Sequence, residues 1–223
     1  MPTPPSTDID AVLFDFGGVI LTSPFEAFAR YEADNGLPPD TIRTINATNP
    51  DENAWAKLER SDVDLAGFSA LFESEAAALG YTVDAAAVLE CLAGDVRPQM
   101  VEALHRLRAH GYPLAMLTNN VLPDPAESNA MGAANNNART DMQGIIELFD
   151  VVVESSKAGC RKPEVRFYEL ACEQLAVGPD RCVFLDDLGI NLKPARAMGM
   201  TTIKVGDPDV ALAELADALG HAL

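Results

Sequence analysis

The stretch Ala11-Val-Leu-Phe-Asp-Phe-Gly-Gly-Val19 decides the fold. Its first four residues are all apolar, which predicts a buried parallel strand over residues 9–15. Asp15 follows this run at once, where a carboxylate is hard to explain by packing. Gly17 and Gly18 allow the backbone to approach a ligand closely. Ligands of open parallel sheets bind beyond the carboxyl ends of the strands, so Asp15 is the first candidate for a reactive group. The alternative is an aspartate that only caps the following turn.

Two further apolar runs, Pro113–Leu117 and Cys182–Leu185, are also followed at once by polar side chains. They predict two more buried strands, and the carboxyl ends of parallel strands meet at one edge of a sheet. We therefore expect these polar residues to gather beside Asp15. The residues are Thr118, Asn119, Asp186 and Asp187.

Lys162 stands directly before Pro163. Proline favours the first turn of a helix and holds its predecessor extended, so Lys162 is expected on a loop, pointing away from the helix that follows. The alternative for Lys162 is a solvated lysine at the surface, and its neighbour Arg161 is expected to be a solvated loop residue. The alternative for Thr118 is a hydroxyl that only stabilises a turn.

Five predicted strands alternate with helices, which indicates an α/β fold with a doubly wound, mostly parallel, Rossmann-like sheet. Residues 23–95 lack a strand pattern and are expected to form a small all-helical cap, while residues 1–22 and 96–223 form the α/β core. The cap follows directly after Asp15 and is placed to close over the reactive edge, with a packing subdomain that has no gating role as the alternative. Residues 121–144 have little apolar periodicity and are expected to form a loop with at most one weak helical turn. The predicted strands are 9–15, 113–118, 149–153, 182–185 and 201–205.

The composition excludes several classes of function. The chain has 223 residues, enough for one α/β domain with a modest insertion. Lys and Arg number 16 and Asp and Glu 34, and the net charge of −18 argues against nucleic acid or an anionic membrane as a partner. The four cysteines have no C-x-x-C spacing, which indicates reduced thiols in a cytoplasmic protein without a zinc site. Residues 1–8 are expected to be a short disordered lead rather than a signal peptide, and no apolar run approaches the ~18 residues of a membrane span.

Three segments together resemble the motifs of the haloacid dehalogenase superfamily of hydrolases. They are Phe14-Asp-Phe-Gly-Gly-Val19, Leu117-Thr-Asn-Asn120 and Phe184-Leu-Asp-Asp-Leu-Gly-Ile-Asn-Leu-Lys193, with Lys162 between the second and the third. Within the superfamily, the chain is most similar to the phosphatase-like N-terminal domain of soluble epoxide hydrolase and to relatives with an Asp-x-Gly-Gly first motif. The resemblance covers nearly the whole chain and implies a hydrolase with a helical cap after the first strand.

The carboxylates of Asp15, Asp186 and Asp187 need a counter-charge, because like charges at short range cannot all stay ionised. Lys162 supplies one positive charge, and a hard divalent cation such as Mg²⁺ would balance the remainder with oxygen ligands. The expected direct ligands are an Asp15 oxygen, the Gly17 carbonyl and Asp187. Asp186 is expected to bind the ion through a water or to hold the direct ligands in place. That Asp187 and not Asp186 is the direct ligand is implied only by the resemblance.

Mg²⁺ and Lys162 together would form a site for the phosphate of a small phosphorylated metabolite. Asp15 is expected to attack phosphorus and form an aspartyl-phosphate, which water then hydrolyses. Asn191 is expected to begin a helix and to orient Asp187 or Lys162. The residues expected to bind the substrate, with the Asn119 amide and the Thr118 hydroxyl as donors, are Gly18, Thr118, Asn119 and Lys162.

Gly17 departs from the usual pattern of superfamily phosphatases, which carry an aspartate two residues after the nucleophile as general acid and base. A positioned acid or base contributes ~10²–10⁴-fold, so its loss predicts a weaker phosphatase rather than an inactive one. One alternative is a dehalogenase acting at carbon; dehalogenases also lack that aspartate, but they work without metal and lack paired aspartates in the last motif. The other alternative is a protein that binds a phosphorylated ligand without turnover. The sequence carries no signal for an oligomeric state.

Overall fold

The computed structural model describes residues 9–92, 94–119 and 142–222. Most of the predicted loop over residues 121–144 lies outside the described residues, as does the predicted disordered lead over residues 1–8. The described end of that loop is helical as far as residue 146.

A parallel sheet of five strands forms the core of the molecule. Its strands are β1 Ala11–Phe14, β2 Leu114–Thr118, β3 Val151–Glu154, β4 Cys182–Asp186 and β5 Thr201–Lys204. Their order across the sheet is β3-β2-β1-β4-β5, so the first strand of the chain lies at the centre. Phe14 is paired with Met116 on one side and with Leu185 on the other. The predicted doubly wound α/β fold is confirmed, and the described strands are all parallel.

Helices cover the sheet and also form a group of their own after β1. The helices before Val96 are α1 Phe25–Asp34, α2 Thr41–Ala47, α3 Ala54–Glu59, α4 Leu65–Ala78 and α5 Ala85–Glu90. Apart from the helical residues 142–146, the helices described after Val96 are α6 Pro98–Ala109, α7 Ser155–Ala158, α8 Val165–Leu175, α9 Gly189–Ala197 and α10 Pro208–Leu219. In the part of the chain that the structure describes, every helix is too short or too polar to cross a bilayer.

The side chains of β1 point alternately to the two faces of the sheet, as successive side chains of a strand do. Val12 and Phe14 belong to an apolar cluster with α6 and α10. Ala11 and Leu13 belong to a second cluster with α8 and α9. All four side chains are fully buried, so residues on both faces of the strand have to be apolar. This explains the unbroken apolar run Ala11–Phe14 in the sequence.

The helices α1–α5, which we call the helical insertion, have an apolar core of their own. Phe68 and Phe72 of α4 are fully buried and stack with 5.2 Å between ring centroids. Trp55 of α3 packs edge-on against Phe68 at 4.8 Å. An antiparallel bridge between Leu21 and Val96 brings the chain segments that border the predicted cap side by side.

The carboxyl ends of β1, β2 and β4 lie next to one another, because these strands are neighbours in the sheet. Asp15 follows β1, and Thr118 and Asp186 are the last residues of β2 and β4. The predicted polar residues therefore share one edge. A tight turn over Phe16–Ile20 leads from β1 toward the helical insertion, which places the insertion at the same edge.

Candidate active site

Lys162 binds two carboxylates at this edge of the sheet. Its Nζ lies 2.7 Å from Asp15 Oδ1 and 2.9 Å from Asp186 Oδ2. The lysine side chain is 1% exposed, so the alternative of a solvated surface lysine is wrong. Asp15 Oδ1 also accepts a hydrogen bond of 2.6 Å from the Phe16 N–H, so Asp15 both caps the following turn and pairs with the ammonium group.

Asp186 is fully buried and surrounded by hydrogen-bond donors. Asn191 Nδ2 donates to both of its carboxylate oxygens at 3.1 Å, and the Leu188 N–H donates to Oδ1 at 2.8 Å. With the Lys162 ammonium on Oδ2, these bonds hold the carboxylate in one orientation. The sequence predicted Asp187 or Lys162 as the partner of Asn191. The structure places its amide on Asp186 instead, because the first turn of α9 folds back over the end of β4.

Asp187 packs against the glycine turn and accepts a hydrogen bond of 3.2 Å from Ser23 Oγ. Gly18 has a φ of 80°, and a Cβ at this position would lie 2.3 Å from Asp187 Oδ2. Both observations require glycine there. Gly18 is buried and is not among the residues that line the cavity, so the structure gives no support to its predicted contact with substrate. Sequence reasoning missed Ser23, whose only signal is its place just beyond the turn after Asp15.

The site carries more negative charge than one ammonium group neutralises. Burial raises the pKa of Asp15 to about 8, since the nearby Lys162 opposes this effect only in part and Asp186 adds to it. Burial, together with the charge of Asp186, raises the pKa of Asp187 to about 6. Burial alone would lower the pKa of Lys162, but Asp15 and Asp186 outweigh it and leave that pKa above its usual value. The cluster therefore holds a proton or a cation at neutral pH.

The three carboxylates of the cluster fit a divalent metal ion. Asp15, Asp186 and Asp187 each offer an oxygen, and these oxygens lie within 4.8 Å of one another. Three negative charges and the Lys162 ammonium sum to −2, which one divalent cation balances. All of these ligand atoms are the hard oxygens that Mg²⁺ prefers. Asp15, Asp187 and Gly17 line the cavity and Asp186 does not, which fits Asp187 as a direct ligand and Asp186 as a residue behind it.

Thr118 and Asn119 at the end of β2 both line the cavity, but their side chains have different contacts. Thr118 lines the cavity, where its predicted contact with substrate fits the geometry. Asn119 Oδ1 accepts from the Lys162 N–H at 2.9 Å, and its Nδ2 donates to the Lys162 carbonyl at 3.0 Å. The side-chain amide of Asn119 therefore holds the loop that carries the ammonium group, and its Nδ2 also donates to Glu59 Oε2 at 3.2 Å.

A cavity of about 740 Å³ lies between this edge of the sheet and the helical insertion. Its polar end includes Asp15, Gly17, Thr118, Lys162 and Asp187. The rest of the wall is mostly apolar, and it comes from the insertion, its borders and the segment before α9. The large apolar side chains of the cavity wall are Phe16, Leu21, Phe25, Trp55, Leu65, Leu89, Leu92 and Leu188. The cavity is therefore suited to a ligand with a charged end and an apolar body.

Arg161 is not the solvated loop residue that the sequence predicted. Its Nη1 lies 2.5 Å from Glu59 Oε2 at the end of α3, and the arginine side chain is 12% exposed. The expectation is wrong because the partner lies 102 residues away in the sequence, where no local pattern reports it.

Comparison with known proteins places the chain among hydrolases. Residues 9–199 match the family of haloacid dehalogenase-like hydrolases. The chain is 30% identical to bifunctional epoxide hydrolase 2 of Mus musculus, over 93% of this chain and 38% of that protein. It is 26% identical to sesquiterpene phosphatase astK of Aspergillus oryzae, over 96% of this chain and 98% of that protein. The chain spans only 19% to 38% of the length of the mammalian relatives that it matches.

A solved structure supports the same placement at the level of the fold. It is a haloacid dehalogenase family enzyme of Bacteroides thetaiotaomicron in complex with magnesium and inorganic phosphate, with a TM-score of 0.57 and 19% identity. The match covers 89% of this chain and 96% of that one. The family match over residues 9–199 and this agreement in fold lead to one conclusion: the chain belongs to the haloacid dehalogenase-like hydrolase family.

Proposed function

We propose that this chain is a Mg²⁺-dependent phosphatase that hydrolyses a phosphomonoester through an aspartyl-phosphate on Asp15. The observation that carries the proposal is the placement of Asp15, Lys162 and Asp187 at the polar end of one cavity, with Lys162 Nζ 2.7 Å from Asp15. Bound Mg²⁺ would supply the positive charge that keeps Asp15 ionised and offsets the charge of the transferred phosphoryl group.

Asp15 is the nucleophile of this proposal. One of its carboxylate oxygens attacks phosphorus, and the leaving group departs with its electron pair. Water then attacks phosphorus in the aspartyl-phosphate, which frees inorganic phosphate and restores the carboxylate. Lys162 stabilises negative charge on the phosphoryl oxygens, and the Thr118 hydroxyl donates to one of them. Gly17 supplies no proton, so the leaving group departs without help from a side chain at that position.

The cavity wall favours a phosphomonoester with an apolar body. Leu21, Phe25, Trp55 and Leu89 present hydrocarbon to the part of the cavity away from Asp15. Covering such a surface with an apolar ligand contributes about 25 cal/mol per Å² of area removed from water. The fungal relative is described as a sesquiterpene phosphatase, which agrees with a substrate of this kind. We therefore propose a small amphiphilic phosphorylated metabolite as the substrate class.

The paired aspartates argue against dehalogenation at carbon. A metal-free reaction has no use for Asp187, and the charges of Asp186 and Asp187 raise the pKa of the nucleophile that such a reaction needs in ionised form. A cation at the cluster removes this difficulty. A phosphatase gives Asp15 a role as nucleophile, whereas a protein that only binds a phosphorylated ligand has no use for a nucleophile. We therefore favour a phosphatase over a binding protein.

The net charge and the cysteines indicate which partners and which location to expect for the enzyme. A net charge of −18 opposes nucleic acid and anionic membrane surfaces as partners. The four cysteines are free thiols, which agrees with a cytoplasmic location.

Release of phosphate from an aryl phosphate tests the proposal. We expect release by the wild-type protein with Mg²⁺, and none with EDTA or with Asp15→Asn, which keeps the side-chain volume but removes the nucleophile. Release that survives EDTA would overturn the metal dependence, and phosphate binding without release would favour a binding protein. A panel that pairs alkyl phosphates with sugar phosphates tests the substrate class, and we expect lower KM values for the alkyl members.

A further inference from the structure

A polar contact joins the helical insertion to the loop that carries Lys162. Glu59, the last residue of α3, accepts hydrogen bonds from Arg161 Nη1 at 2.5 Å and from Asn119 Nδ2 at 3.2 Å. Arg161 Nη2 also donates to the carbonyl of Pro50, at 2.5 Å. One arginine of the sheet domain thus holds the insertion at two points.

This contact is largely removed from solvent. The side chains of Arg161 and Glu59 are 12% and 17% exposed, and Glu59 is among the residues that line the cavity. A charged pair in such a place interacts more strongly than an exposed one, and a partner left alone there keeps an uncompensated charge. Burial raises the pKa of Glu59 although Arg161 opposes this effect, so the pair joins the insertion to the lysine loop in one arrangement rather than adding net stability.

The same groups hold the main chain of Lys162. Arg161 precedes the lysine in the chain, and Asn119 is bonded to both its N–H and its carbonyl. The Lys162 ammonium then reaches Asp15 at 2.7 Å. Glu59 in the insertion is therefore linked to the lysine beside the proposed nucleophile in two ways, by hydrogen bonds through Asn119 and by the main chain through Arg161.

We propose that Glu59 is a positioning residue that couples closure of the helical insertion to the placement of the Lys162 ammonium beside Asp15. This inference rests on the proposed phosphatase function, because it assigns Glu59 a part in that reaction. Glu59 touches neither the reacting atoms nor the metal ligands. Its effect on turnover comes from the position of Lys162, and a misplaced catalytic group can cost up to ~10²-fold in rate.

Glu59→Gln and Glu52→Gln form a matched pair of variants for the test. Both replace a carboxylate of the segment 52–59 with its amide, but the side chain of Glu52 is exposed, whereas that of Glu59 is largely buried. We expect Glu59→Gln to lower kcat ~10–100-fold, because the Lys162 ammonium loses its position beside Asp15. Glu52→Gln is expected to leave kcat unchanged. Arg161→Gln should reproduce the effect of Glu59→Gln, and the double variant should lose no more than either single variant.

Fluorescence gives a readout that does not depend on catalysis. Trp55 is the single tryptophan of the chain, lies on α3 with Glu59, and has a buried Nε1 at the cavity. We expect acrylamide to quench Trp55 faster in Glu59→Gln and Arg161→Gln than in the wild type or Glu52→Gln. Far-ultraviolet circular dichroism must show the same helix content in all variants.

The outcomes separate this inference from the proposed function. If the wild type releases no phosphate, the phosphatase proposal fails, and the catalytic part of this inference fails with it, whatever Trp55 reports. If the wild type is active but Glu59→Gln matches Glu52→Gln in kcat and in quenching, the positioning role of Glu59 is overturned and the phosphatase proposal stands. Additive losses in the double variant would also overturn the coupling.

Discussion

The substitution Gly17→Asp would give this chain the general acid that it lacks, and the structure has room for the new side chain. Gly17 has φ −71° and ψ 129°, an extended conformation that any residue adopts. A Cβ built at Gly17 meets no heavy atom within 4 Å, and the residue lines the cavity beside Asp15. The new carboxyl group would therefore point into the cavity without displacing its neighbours.

The expected gain in rate follows from the value of a positioned proton donor. Such a group contributes ~10²–10⁴-fold, or about 2.7–5.4 kcal/mol of activation free energy. The carboxyl group would enter a site where burial and nearby aspartates raise the pKa of Asp15 to about 8 and of Asp187 to about 6. The nearby negative charges of Asp15, Asp186 and Asp187 disfavour a further ionised carboxylate, so they favour the protonated form that a general acid needs.

A series of substrates with different leaving groups provides the assay. We expect Gly17→Asp to raise kcat/KM for alkyl phosphates, whose alkoxides leave poorly, far more than for aryl phosphates such as 4-nitrophenyl phosphate. Gly17→Asn is the control, because it has nearly the same volume and no proton to give. An equal gain on both classes of substrate, or an asparagine variant as fast as the aspartate variant, would refute the reasoning.

Three further outcomes follow from the carboxylate cluster. Mg²⁺ affinity, measured by titration calorimetry, should rise as the pH increases from about 6 to about 8, because Asp187 and then Asp15 must lose a proton to bind the cation. Lys162→Met should lower the free energy of unfolding in urea by about 3–5 kcal/mol, because it leaves the fully buried Asp186 without its ion pair. Gly18→Ala should lower it by about 1–3 kcal/mol and weaken Mg²⁺ binding, because the residue has a φ of 80° and its Cβ would press on Asp187.

Exposed positions supply controls for these substitutions. Lys204→Met removes a lysine from the surface, and Gly206→Ala adds a Cβ where no atom lies within 4 Å. Both should leave stability and Mg²⁺ affinity nearly unchanged. A Mg²⁺ affinity that is flat with pH, or a Lys162→Met variant as stable as Lys204→Met, would contradict the charge balance described for the cluster.

The central strand and its reactive edge could be predicted because local sequence is enough to specify them. Ala11–Phe14 is buried on both faces, so its whole run is apolar, and the first polar residue after it has to stand at the strand end. Because the carboxyl ends of parallel strands meet at one edge of a sheet, Thr118 and Asp186 are expected at the same edge as Asp15. No knowledge of the helical insertion is needed for that step.

The partners of individual side chains could not be predicted in the same way. The contacts of Ser23 with Asp187 and of Glu59 with Arg161 join residues more than 100 positions apart, and they depend on how the insertion lies on the sheet. The two glycines of the turn also look alike in the sequence. Only the backbone shows that Gly18 has a positive φ and lies against Asp187, whereas a Cβ at Gly17 would meet no atom within 4 Å.

Transfer of labelled phosphate to the protein is the direct test of an aspartyl-phosphate on Asp15. A ³²P-labelled aryl phosphate is mixed with the protein and Mg²⁺, the reaction is quenched in acid within milliseconds, and the labelled peptide is identified. We expect label on the peptide that contains Asp15, released by hydroxylamine and absent both with EDTA and in Asp15→Asn. Label on a different residue, or phosphate release that continues in Asp15→Asn, would contradict it.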